Sequence, residues 1–199
     1  MFGSIQNLVL FKLGWLACIL FAAAGEPALA ILAVAFVVGI HLAKAPVPVK
    51  EALLLTCAGL IGLLWESFMV FTGLIEYAGV GTGAALAPYW IVAMWVLFAT
   101  TINYGFRWIK RHWALASFFG AIGGPVAFIG GVAMGAAQFT DTPLALAVIG
   151  VGWAFLLPLL GLIADTIIDS AFLEPKSKNP EVRTAIDLPT HIEGARHHV

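Results

Sequence analysis

A-L-L-L-T-C-A-G-L-I-G-L-L-W-E-S-F-M-V-F-T-G, residues 52–73, is the stretch that decides the fold. A hydrocarbon core about 30 Å thick takes roughly 20 helical residues to cross, and this segment is that long. In lipid the backbone must satisfy its own hydrogen bonds, so the segment reads as a transmembrane helix. One carboxylate, Glu66, lies within it. Charge at that depth is costly and marks either a function or a structural lock.

Five further segments meet the same test on either side: about Ile5 to Ala24, Pro27 to Ala43, Pro88 to Phe106, Trp113 to Ala136 and Pro143 to Ile168. Composition agrees, because the 199 residues are 61% hydrophobic and only 11% charged, whereas a soluble domain is about a quarter charged. The mean hydropathy is +0.99. The expected fold is all-α, a polytopic membrane bundle of six helices over residues 1–170. A polar tail follows over 171–199, where Pro175, Pro180 and Pro189 alternate with charges and a packed core is not expected. The first segment has Lys12 inside it and no basic stretch ahead of it, so it reads as a retained helix rather than a signal peptide.

Basic residues set the expected orientation. Lys44, Lys50, Arg107, Lys110 and Arg111 fall in two alternate loops, while the opposite loops carry Glu26, Glu76 and Asp141. Both termini are therefore expected in the cytoplasm of a multi-pass membrane protein. Cys18 and Cys57 lie inside spans and read as packing residues. No zinc-protease, nucleophile-elbow, phosphate-loop or dinucleotide motif occurs. His41 and His112 are too few for a haem or di-iron site, and His197 with His198 on the tail makes a poor one. No metal, cofactor or nucleic acid is expected.

The polar residues inside the spans form the candidate site: Glu66, Lys12, Asn103 and Asp165. Counted at 1.5 Å per residue from the cytoplasmic ends, Asn103 and Asp165 fall in the inner third, Lys12 about 10 Å deep and Glu66 about 20 Å deep. Gly59, Gly62, Glu66, Met69 and Gly73 recur every three or four residues, a small-residue stripe that turns Glu66 toward other helices. Lys12 and Asn103 are its candidate neighbours. Lys12 either pairs with Glu66 or snorkels to the inner headgroups. A buried carboxyl without a cation stays protonated, and with one it stays charged. His41 reads as an interfacial residue. Trp90, Trp108 and Trp113 fall at span ends, and Trp15, Trp65, Trp95 and Trp153 fall deeper, where packing is the first reading and an apolar ligand the second.

The fifth span is rich in small residues: Gly120, Gly123, Gly124, Gly130, Gly131 and Gly135 surround Pro125. Gly120 with Gly124, and Gly131 with Gly135, have the spacing that lets helix backbones approach closely. Pro125 after two glycines predicts a kink or break, which would free carbonyls at membrane depth as transporter binding sites do.

Four blocks carry a resemblance: N-L-V-L-F-K-L-G-W from Asn7, L-I-G-L-L-W-E-S from Leu60, P-Y-W-I-V-A-M-W-V-L-F-A-T-T-I-N from Pro88, and G-A-I-G-G-P-V-A-F-I-G-G-V-A-M-G-A from Gly120. In order and spacing they resemble the bacterial inner-membrane family catalogued as domain of unknown function 2878. In that pattern Glu66 stands where Asp is usual, Lys12 where Gln is usual and Phe128 where Tyr is usual. The resemblance implies no known activity. It does imply a link to membrane lipids and to enzymes that modify membrane fatty acids, since members are often encoded near them. A non-catalytic component that binds lipid or such an enzyme is the leading expectation, with self-association through the glycine faces in view. A carrier built on Glu66 and the Pro125 break is the alternative, and an intramembrane lipid-modifying enzyme is third.

Overall fold

The computed structural model describes residues 3–79, 85–108 and 112–169. The chain runs α1 (Ser4–Ala23), α2 (Pro27–Lys44), α3 (Pro48–Phe71), β1 (Ile75–Tyr77), α4 (Tyr89–Ala99), α5 (Trp113–Ala133), β2 (Ala137–Phe139) and α6 (Thr142–Asp169). Five of the helices are long and apolar enough to cross a membrane; α4 is the short one. Pro27 and Pro48 open α2 and α3 at first-turn positions, where a missing N–H costs nothing. Lys110, Arg111 and the tail, with His197 and His198, lie outside the described residues.

Neighbouring helices pair as hairpins: α1 packs on α2, α3 on α4 and α5 on α6, with α4 also touching α1 and α2. Two core clusters stack along the bundle. One gathers Cys18, Val34, Met69, Ile75 and Trp90, and the other Leu54, Ala58, Ile102, Leu160 and Ala164. Leu13, Phe36, Leu64, Val126 and Phe155 are exposed on the outside, the arrangement expected of a bundle whose surroundings are lipid.

The fold is all-helical as expected, with one short two-stranded ribbon added to it. Three residues each, β1 and β2 pair antiparallel, with Glu76 opposite Gln138, and tie α3 to α5 at one end of the bundle. Each strand follows a helix that ends in the same way. Gly73 and Gly135 take φ of 68° and 83°, which only glycine adopts without strain. Leu74 N–H reaches Met69 O at 3.2 Å, and Ala136 N–H reaches Gly131 O at 3.0 Å, the six-to-one bond of a glycine-terminated helix. Gly135 is thus a helix stop, outside α5, and not the second half of a packing pair.

These matched ends expose an internal repeat that hydropathy alone hides. Val70, Gly73, Glu76 and Tyr77 correspond to Val132, Gly135, Gln138 and Phe139. In the first unit a Cβ on Gly62 would fall 2.2 Å from Trp95 Cγ; in the second, a Cβ on Gly124 would fall 2.5 Å from Trp153 Cγ. The two indoles then stack on each other, centroids 4.8 Å apart with 25° between planes. Units α3-β1-α4 and α5-β2-α6 are therefore joined at the ribbon and at the Trp95–Trp153 stack.

Two expectations about helices are corrected. First, α5 continues through Pro125 without a break. The carbonyl of Ala121, which the proline leaves without an N–H, faces the glycine surface of α6: a Cβ on Gly150 would lie 3.2 Å from that oxygen. Second, the fourth span is helical only to Ala99, and eleven residues rise about 16 Å. Beyond it the backbone tightens into i→i+3 bonds from Thr100, Thr101 and Ile102. The Thr100 and Thr101 hydroxyls donate to Leu97 O and Phe98 O, and Asn7 Nδ2 donates to Thr100 O at 3.1 Å. Irregular backbone of this kind is tolerable at depth because it is buried in protein, and Thr100, Thr101 and Ile102 are all buried.

Candidate functional site

A cavity of about 530 Å³ lies between α1, α4, α5 and α6, within the roughly 300–1,000 Å³ range of ligand pockets. Its walls are aromatic and small: Trp15, Trp95, Trp153 and Phe128 face Gly120, Gly123, Gly124 and Gly131. Close packing of Gly120 and Gly124 on α6 sets one wall; a Cβ on Gly120 would fall 2.1 Å from Trp153 O. At Gly123 a Cβ would meet nothing within 4 Å, so that glycine leaves space instead of closing it. Lys12 on α1 and Phe119, Gly123 and Ala127 on α5 line the cavity and are also exposed. The cavity is thus open to the surroundings between α1 and α5.

Glu66 lines this cavity with 0% of its surface exposed. Trp95 Nε1 donates to its Oε1 at 2.7 Å, and the Tyr77 hydroxyl donates to its Oε2. The carboxyl therefore joins α3, α4 and β1, with both oxygens accepting from neutral donors. Its counterpart in the second repeat is Phe128, which has no acceptor, and there the Trp153 indole N–H is buried without a partner.

Lys12 and Asn103 are not the partners of Glu66. The Lys12 ammonium lies 4.7 Å from the centroid of the Trp15 ring, within cation–π range. Asn103 Nδ2 instead donates to Glu51 Oε1 at 2.9 Å, at the end of the bundle away from the ribbon. Glu51 Oε2 is 3.1 Å from His41 Nε2, and the His41 ring meets Tyr104 edge-on at 5.2 Å. His41 stands in the last turn of α2 and is buried to 1% exposure against these neighbours. Asp165 is half-buried on α6 and is not among the cavity residues.

Sequence reasoning missed Tyr77 and Glu51. No pattern announces Tyr77, because the ribbon carries it to Glu66; Glu51 stands in the first turn of α3, where an acid reads as an ordinary helix start. Cys18 and Cys57 are both free. No cluster of three or more metal-ligating side chains occurs among the described residues.

Apolar helices wrapped around an apolar cavity define the class, a helical membrane protein with an internal pocket. The family model described as protein of unknown function DUF2878 matches residues 4–159, and the chain belongs to that family. No curated protein and no solved structure matches the chain.

Proposed function

We propose that this protein is a non-catalytic component of the bacterial inner membrane that binds a lipid-derived apolar molecule in the cavity between α1 and α5. The observation that carries the reading is the cavity itself, about 530 Å³ lined by indoles, phenyl rings and glycines and open between two helices. Such a mouth, placed in the hydrocarbon core, admits molecules from the lipid phase. Orientation follows the positive charges: the end with Lys44, Lys50 and Arg107 is cytoplasmic and the ribbon end faces outward, which puts both termini in the cytoplasm. The resemblance to a family linked with fatty-acid modification supports a membrane-bound lipid-modifying enzyme as the partner.

Gly123→Phe tests the reading, because a Cβ at that cavity-lining position meets nothing within 4 Å and the ring beyond it takes up space there. Native mass spectrometry of the wild type should retain one lipid-derived molecule per chain, and the variant should lose it while keeping its thermal midpoint. Equal retention by both would overturn the proposal.

The burial of Glu66 on the cavity wall favours one second reading, a proton-coupled carrier. Proteoliposomes should then show solute-dependent proton movement that disappears in Glu66→Gln. The unbroken α5 removes the half-helix ends on which such carriers rely, so binding is the stronger reading.

A further inference from the structure

We infer that the molecule held in the cavity is an anionic amphiphile whose head group sits on Lys12, with its chain running toward the ribbon end. The inference rests on the cavity-binding reading above and adds the chemistry of the ligand. Among the described residues, Lys12 is the one cation on the cavity wall. It stands eight residues into α1, about 12 Å along the helix. No carboxylate lies within ion-pair distance of it among the described residues; its recorded contact is the Trp15 ring. That contact holds the ammonium against a residue one turn further along α1, away from the amino-terminal end. A charged ammonium in hydrocarbon is costly without a counter-ion, and an exposed one at the cavity mouth is placed to take an anion from outside.

The other polar groups on the wall set the direction of the chain. Glu66 and Tyr77 are bonded to each other toward the ribbon end, and Trp95 occupies the remaining carboxyl oxygen. An anion there would face the Glu66 carboxyl, and the unpartnered Trp153 indole N–H on that wall is neutral, offering a hydrogen bond but no charge. Between Lys12 and that end the wall is Trp15, Ile19, Phe128 and Gly131, a surface that contacts methylenes and offers no charge. Head group at Lys12 and chain along Trp15 and Phe128 is the orientation that sets charge against charge and methylenes against an uncharged wall.

Chain-brominated probes read this directly, because heavy atoms quench the indoles of the wall. The full chain in phosphatidylcholine nanodiscs is titrated with a brominated fatty acid, its methyl ester, and brominated phosphatidylglycerol and phosphatidylcholine of the same chain. Saturable quenching by an anionic probe should occur at least ten-fold below the concentration its uncharged counterpart requires. Lys12→Gln should bring the two within about two-fold and leave the uncharged probe unchanged, and Lys12→Arg should keep the preference. Whichever anionic probe leads, fatty acid or phospholipid, identifies the source of the head group. Equal quenching by acid and ester in the wild type, or a preference that survives Lys12→Gln, overturns the anion while the cavity reading stands. No saturable quenching by any probe overturns both.

Discussion

Glu66 holds three elements with one side chain. Removing its oxygens leaves the Tyr77 hydroxyl and the Trp95 N–H with no acceptor, and a buried unsatisfied donor costs about 1–3 kcal/mol. Glu66→Leu should therefore lower the thermal midpoint in detergent more than Glu66→Gln, which keeps one acceptor oxygen. A leucine variant as stable as the wild type would show that the carboxyl does not hold β1 in place. The inward direction of Glu66 was legible from the glycine stripe on its own helix. Its partners were not, because Tyr77 reaches it through a ribbon and Trp95 through a packing contact between helices. The sequence placed Lys12 as a neighbour by charge alone; the structure sets its ammonium on an aromatic ring and Glu66 on neutral donors.

At the level of the elements, long apolar runs made α1, α2, α3, α5 and α6 readable to within a few residues. The fourth span was not, because hydropathy registers apolar side chains and is blind to the point where threonine hydroxyls begin to bond to the backbone. Strands of three residues are too short to leave an alternation. Pro125 misled for a related reason: its lost hydrogen bond was visible, but the glycine face of α6 that buries the freed carbonyl lies elsewhere in the chain. Glycines in the helices divide by what faces them. Gly62→Ala and Gly124→Ala drive a methyl into Trp95 and Trp153 and should cost about 1–3 kcal/mol, the range for overpacking. Gly123→Ala meets open space and should be neutral or stabilise by up to about 1 kcal/mol, the helix preference of alanine over glycine. Thermal unfolding of the three variants side by side checks the division. Gly120 and Gly124 pack within the chain on α6, so self-association would use a different face.

Over the whole molecule, two units of one design are joined at the ribbon and at a pair of indoles, and they differ where the chemistry differs. The first unit has Glu66 and a bonded Trp95; the second has Phe128 and a buried indole N–H without an acceptor. The pairing of Trp95 with Trp153 also has an optical consequence. Two indoles 4.8 Å apart and only 25° from parallel are close enough for their ultraviolet transitions to couple, so the folded protein should show an exciton couplet in circular dichroism. Trp153→Phe should abolish that couplet; a spectrum unchanged by the substitution would mean that the rings do not stack. Because both indoles line the cavity, a bound molecule that pries them apart would change the sign or size of the signal. The chain then carries its own unlabelled gauge of how far its two units stand from each other.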